Sequence, residues 1–358
     1  MLNYILRKLI YSFFVLFGII TVVFILFNVL PGDPARLMLG QRADVSSIEA
    51  INKDLGRDKP LWKQYLIYLN DLSPLSFHEK NNPESALFIK QDKYGAFISL
   101  VSISSKTIVL KEPYLRRSYQ TGRRATEIIA DALPGTAVLA ISAMVIATIL
   151  GILLGIISAI NKGGIADKTA LVLSVFGMSL PSFVAAILMM WVFGYLLGKY
   201  TGLPITGSLY EIDEFTGEHL VLKNLILPAV TLGVRPLAII VQLTRSSMLD
   251  VLSMDYVRTA TAKGLSRYAV MFRHALPNAM NPVVTAVSGW LASLMAGAVF
   301  IEIIFGWKGI GMVMLDALNK YDLPVVMGAV LVVSLIFVII NVFVDILYGI
   351  IDPRVRVS

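Results

Sequence analysis

Six apolar runs divide the chain: Leu9–Leu30, Leu133–Ile160, Ala170–Leu197, Leu222–Leu243, Pro282–Phe305 and Pro324–Ile350. A helix needs about 20 apolar residues to cross a bilayer, so this pattern predicts six transmembrane helices. Polar residues collect in two places between the runs. One is the long stretch from Ala35 to about Ala130; the other is Ser253–Asn278, the most polar segment of the second half. Within the first stretch, 86–89 and 96–110, flanked by turn-forming Lys93-Tyr94-Gly95 and Lys111-Glu112-Pro113, read as strands. The expected fold is an all-α integral membrane protein with an insertion near 72–115 that carries short β-strands. Its expected parts are an N-terminal span (1–30), an external region (31–130) and a core (131–358). The core holds five spans and a polar loop at 250–278.

That loop reads as two short helices joined at a glycine. Ser253 is placed to cap the first, with Asp255 in the first turn, where the helix dipole favours a negative charge. Lys263 and Gly264 form the stop, Ser266 can cap the second helix, and Leu276-Pro277 leads into the next apolar run. Thr259, Ala260, Thr261 and Ala262 present a small face that another protein's backbone can approach. A docking element and an ordinary basic loop both fit this spacing.

Composition settles the class. Of 358 residues, 56% are hydrophobic and 15% charged, and a soluble domain would carry nearer a quarter charged. The net charge of +7 does not point to nucleic acid, because Lys and Arg gather at the ends of the apolar runs. Basic residues mark the N-terminus, 161–168, the polar loop and the tail at Arg354 and Arg356, whereas 211–218 holds four acids and no Lys or Arg. By the positive-inside rule both termini and the polar loop face the cytoplasm. The first run is too long for a signal-peptide core and lacks a small-residue cleavage site, so it is expected to be retained. There is no cysteine, and His78, His219 and His274 all lie outside the apolar runs, so neither a thiolate nor an intramembrane metal site is expected. No P-loop, GxSxG or paired-histidine motif occurs, and the chain has no catalytic constellation.

The polar loop resembles the coupling loop of ABC-importer membrane subunits, whose pattern is EAA, three residues, Gly, nine residues, then I-x-L-P. Ala260, Gly264, Leu276 and Pro277 match it; Arg258, Thr259 and His274 depart from it. Tyr256 to Leu265, followed by Arg273-His274-Ala275-Leu276, is similar to the dipeptide, oligopeptide and nickel branch. Further landmarks of that branch are Leu30-Pro31-Gly32-Asp33-Pro34, Asp58 to Tyr65, Arg117 to Arg123, Ser179 to Phe183, Phe305 to Gly311 and Asp352-Pro353-Arg354. The resemblance implies a type I ABC importer permease fold in a bacterial cytoplasmic membrane. It further implies a sister permease subunit, two cytoplasmic ATPase subunits and a periplasmic or lipoprotein substrate-binding protein. ATP and Mg would sit on the partner ATPases, with no cofactor on this chain. Peptides, or chelated nickel, would be the cargo. Coupling would fall to Asp255, Tyr256, Val257, Arg258, Thr259, Ala260, Lys263, Gly264, Leu265 and Arg273. Of these, Tyr256, Val257, Ala260 and Gly264 would contact the ATPase groove, and Arg258, Lys263 and Arg273 would make polar contacts.

Ionisable groups and prolines inside the runs are candidates for the translocation pathway. Arg235 lies mid-run beside Pro236, which removes a backbone hydrogen bond; it either faces an aqueous pathway or is satisfied by freed carbonyls. Pro181 interrupts the third run. Glu302, at the outer end of the fifth run, is expected to shape the external mouth. Asp345 is expected to pair with a basic neighbour. A transporter driven by an ion gradient is the alternative of a different class, but it calls for acidic or histidine relays that the runs largely lack.

Overall fold

The computed structural model describes residues 2–28, 59–82, 85, 87–89, 91–103, 105–213 and 217–351. The expected turn at Leu30-Pro31-Gly32-Asp33-Pro34, Asp58, Ala86, and the tail with Asp352-Pro353-Arg354 and Arg356 lie outside the described residues. By its contacts the chain divides into two compact units. One comprises Met1–Phe14, Ala132–Met312 and Val333–Ser358, the other Val15–Asp131 and Val313–Val332.

In chain order the principal elements are α1 (Leu2–Asn28), α2 (Leu61–Leu72), β1 (Leu75–Glu79), β2 (Phe97–Ile103) and β3 (Lys106–Lys111). Next come α3 (Ala125–Ile160), α4 (Ile165–Ser179), α5 (Ser182–Met189), β4 (Tyr210–Asp213) and β5 (Gly217–Leu220). The remainder is α6 (Lys223–Leu252), α7 (Asp255–Ala262), α8 (Leu276–Gly297), α9 (Val299–Phe305), α10 (Ile310–Asn319) and α11 (Leu323–Ile351). Four helices are individually long and apolar enough to cross a membrane: Tyr4–Phe27, Ala125–Ile160, Lys223–Leu252 and Leu323–Ile346. Two bent pairs pass only when joined, so the described residues offer four to six spans.

The sharper bend is at Pro181. The helices on either side meet at 112°, so the third apolar run is two helical pieces, not one kinked helix. Leu180 is extended (φ −73°, ψ 128°), the conformation favoured before proline, and α5 starts anew beyond it. Pro228 and Pro236, by contrast, both lie inside the unbroken α6.

The larger unit is built on close helix contacts. A Cβ at Gly151 would lie 2.7 Å from Ile240, one at Gly155 2.5 Å from Thr244, and one at Gly233 2.9 Å from the Ala143 carbonyl. Bare glycines thus let α3 and α6 approach to backbone distance, the packing that their small residues predict. Leu139, Ala143, Ala147, Leu232, Ile240, Ile301, Phe305 and Trp307 belong to its buried core. Lys8 pairs with Asp345 at 2.7 Å, as expected for Asp345.

In the second unit β1, β3 and β2 form an antiparallel sheet in that order: the expected 96–110 segment is the hairpin β2–β3, whereas Phe88 of the expected 86–89 strand makes only an isolated bridge to Glu79, and β1 was not expected. Its polar side is buried: Ser76, His78, Thr107 and Lys111 point inward with Val109, while Leu75, Phe77, Ile98, Leu100, Val101 and Leu110 are exposed. Beneath the sheet Lys111 donates to the Asp71 carbonyl at 2.6 Å, and the Tyr94 hydroxyl donates to the Asp71 carboxylate at 2.9 Å. Burial lowers Lys111 to about 8, lowers His78, and pushes the Tyr94 phenol up. Elsewhere in this unit Asp322, just ahead of α11, accepts from the Ser118 hydroxyl at 2.5 Å and the Tyr119 N–H at 2.9 Å.

Candidate functional site

The polar loop folds as two short helices about Gly264, with one change from expectation. Ser253 does not cap α7. It closes α6 in a helical conformation (φ −82°, ψ −12°), and its hydroxyl donates back to the Asp250 carbonyl at 2.7 Å. The cap position falls to Met254, which is extended and lends no side-chain bond. At the other end Gly264 takes φ +80°, and its N–H donates to the Thr261 carbonyl at 3.0 Å. This left-handed stop favours glycine. Ser266 does cap the second short helix, accepting from the Ala269 N–H at 3.3 Å.

Burial divides the predicted coupling residues into two sets. Val257 and Ala260 turn inward and pack with Ala159, Met248, Val251, Val270 and Ala275 of the same chain. They hold the hairpin to its own helices. The outward face carries Asp255, Tyr256, Arg258, Thr259, Lys263, Gly264, Leu265 and Arg273. Asp255 and Arg258 pair at 3.6 Å with both side chains largely exposed, an arrangement that contributes little stability. Tyr256 is anchored from behind: Asn278 donates to its hydroxyl at 2.9 Å and to the His274 carbonyl at 3.0 Å. Exposed Tyr268 stacks near Phe272 with ring centroids 4.5 Å apart and widens the apolar part of this face. Both were missed, although aromatics four apart in a polar stretch signal a shared helical face.

A second polar junction was not visible in the sequence. Asp167 at the start of α4 receives both arms of the Arg245 guanidinium, at 2.5 and 2.8 Å. It also accepts from the Ser158 hydroxyl at 2.5 Å and the Gly163 N–H at 2.8 Å. This ties the end of α3 and the start of α4 to the last turns of α6, just ahead of the hairpin.

Arg235 and Pro236 line a cavity of about 180 Å³ together with Gly177, Leu180, Ser182, Thr231, Trp290 and Ser293. Pro181 itself is not in the wall, but its two neighbours are. Among the described residues the Arg235 guanidinium, exposed on α6, makes no hydrogen bond or ion pair.

Glu302 is elsewhere and fully buried. Thr136 donates to it at 2.6 Å, the Met312 N–H donates at 3.1 Å, and the Ile310 N–H donates in turn to Thr136 at 2.8 Å. A Cβ at Gly309 or Gly311 would collide with this carboxylate, so both glycines are needed where it meets the start of α10. Trp307 donates to the Gly135 carbonyl at 2.9 Å from the same corner. The expected mouth residue is therefore an internal tie: the chain folds 306–312 back over the carboxylate.

Comparison with known proteins assigns this arrangement. Residues 151–357 match the family described as binding-protein-dependent transport system inner membrane component, and 1–81 match the corresponding N-terminal family. The chain belongs to this family of membrane permeases. It is 35% identical over 370 residues to the dipeptide transport system permease protein DppB of Alkalihalophilus pseudofirmus, covering 99% of this chain and 100% of the relative. The same identity holds over 375 residues with DppB of Escherichia coli K12, at 99% of each chain. With the glutathione transport system permease protein GsiC of Escherichia coli K12 it holds over 356 residues, again at 99% of each. Among solved structures, a subunit of the methionine ABC transporter MetNI in an inward-facing conformation superimposes with a TM-score of 0.50 at 16% identity. The match spans 63% of the permease and 97% of that chain, and shows a shared fold, that of a type I importer permease.

Proposed function

We propose that the permease is one of two membrane subunits of an ATP-driven peptide importer, coupled to cytoplasmic ATPases through 253–278. Full-length similarity to dipeptide permeases, with the glycine-stopped hairpin projecting polar groups outward, is the observation that carries this reading. A sister permease would complete the pathway, and a periplasmic or lipoprotein binding protein would deliver the peptide. ATP and Mg would be held by the partner ATPases. Both bent pairs would count as spans, giving six, with both termini in the cytoplasm and the 72–115 insertion in the periplasm.

In this scheme the ATPase pair closes on ATP and carries α7 with it. Because Val257 and Ala260 are packed into the permease's own helices, α7 cannot move alone. Displacement passes to α6 and, through Asp167 and Arg245, to α4 and the end of α3. The helices then tilt as rigid bodies between inward-open and outward-open states. Pro181, Arg235 and Pro236 belong to the pathway; Glu302 supports it from within the wall.

The test is purification of tagged permease from membranes, with ATP hydrolysis measured on the recovered complex. A second permease and P-loop subunits are expected to come with it. Gly264→Val should insert normally yet abolish ATP-coupled uptake, because a β-branched residue is strained at φ +80°. Recovery of the chain alone, or ordinary uptake by the variant, would sink the proposal.

A further inference from the structure

We propose that the cavity beside Arg235 is a transit site for a carboxylate, the free C-terminal carboxylate of the peptide in passage; this rests on the importer reading above. A charge inside a membrane-spanning helix is costly and is ordinarily paired. The larger unit follows this rule at Lys8 with Asp345, at Asp167 with Arg245, and at Glu302 with its hydroxyl and N–H donors. Arg235 departs from it. Midway along α6, Arg235 lines an open cavity, and among the described residues its exposed side chain has no partner. A guanidinium cannot shed its proton in a protein, so the charge persists and awaits a counter-ion.

The walls define which counter-ion suits it. Ser182, Thr231, Ser293 and Trp290 line the space, while Leu180, Leu232, Val234 and Leu294 keep it partly apolar. Pro236 has no N–H to offer the carbonyl of Leu232, which frees a backbone acceptor in the same wall. The Thr231 hydroxyl already donates to the Leu227 carbonyl at 2.7 Å, leaving its oxygen lone pairs as acceptors. The set therefore combines a fork-shaped cation that fits a carboxylate bidentately with neutral hydroxyls, acceptors and an aromatic face suited to the adjoining peptide group and side chain. At about 180 Å³ the cavity is smaller than the several hundred Å³ typical of whole-ligand sites. It takes one end of a peptide and releases it, as conduction through a pathway requires.

Lipid phosphate shares the anionic chemistry, and the experiment separates the two sources. The complete transporter in proteoliposomes, with its binding protein saturated by dialanine, is assayed for uptake and for ATP hydrolysis. Arg235→Met should lower dialanine uptake about tenfold, the loss expected for one charge-assisted hydrogen-bonded contact, and leave stimulated ATP hydrolysis within about twofold. Arg235→Lys should restore most of the uptake. Dialanine amide, delivered at saturation, should move slowly through the wild type and be little affected by Arg235→Met. Wild-type dialanine uptake by Arg235→Met overturns the site. So does an equal fall for acid and amide, or a joint fall in uptake and hydrolysis, each of which assigns Arg235 to packing or to a lipid headgroup. Absence of ATP-driven dialanine uptake by the wild-type complex sinks the peptide reading itself, whereas the other failures leave it standing.

Discussion

The hairpin at 253–278 and the corner at 302–312 are both polar interruptions of apolar helices, and they are held together in opposite ways. In the hairpin the bonds are local. Gly264 bonds to Thr261, Ser266 accepts from Ala269, and Asp255 pairs with Arg258, leaving charged side chains in the open. At the corner the bonds are long-range and closed. Glu302 meets Thr136 across 166 positions, Trp307 meets Gly135 across 172, and Glu302 is fully buried. Under the proposed function, a surface that engages a moving partner leaves most of its charged groups exposed. Under the same proposal, a joint that stays rigid while helices tilt has its polar groups bonded inside the fold, as Glu302 is.

Three substitutions sharpen that contrast, beginning with the corner. Glu302→Ala leaves the Thr136 hydroxyl and the Met312 N–H without their acceptor inside a closed core. It should cost about 3 kcal/mol or more, from unmet donors together with the cavity left behind. Thermal unfolding in detergent measures this, and a loss under about 1 kcal/mol would mean that the corner is not the rigid joint described. Next comes the junction between the two extremes, Asp167 with Arg245. Asp167→Arg should separate ATP hydrolysis from uptake, with several-fold less peptide moved per ATP, and the exchange Asp167→Arg with Arg245→Asp should recover much of the coupling. Equal ratios in single and double variants would show that the pair carries no displacement. The smallest effect belongs to the hairpin: Ser266→Ala should cost about 0.5–1 kcal/mol as a lost cap and leave uptake nearly unchanged. A large uptake defect there would mean that the hairpin depends on one local bond more than its inward packing at Val257 and Ala260 implies.

These bonding ranges also explain which features were readable in advance. The Gly264 stop, the Ser266 cap and the break at Pro181 depend on backbone preferences of one or two residues, so the chain announces them. Ser253 was misassigned for the same local reason: a serine before an acidic turn looks like a cap, yet it already closes the incoming α6 as the residue after Leu252. Glu302 was placed at a mouth because its position in the apolar run says how deep it lies, not what folds over it. The Asp167–Arg245 pair spans 78 positions, and no spacing rule connects its members.

Local chemistry in the sequence determined the class of this protein. Long apolar runs must be helical where the backbone has no water to bond, and glycine and proline mark where helices stop. The tertiary structure decided which face of each element is covered. Strand β1 illustrates it: Leu-Ser-Phe-His alternates as any half-buried strand does, and alternation defines two faces without choosing between them. Here Ser76 and His78 bond to each other at 2.9 Å and the His78 ring bonds to the Leu87 carbonyl at 3.1 Å, which makes burying them tolerable, and Leu75 and Phe77 are left outside. Val257 and Ala260 were likewise turned inward by the helices beneath them. A side chain's chemistry states what it costs to bury; only the neighbours brought by the fold determine whether that cost is met.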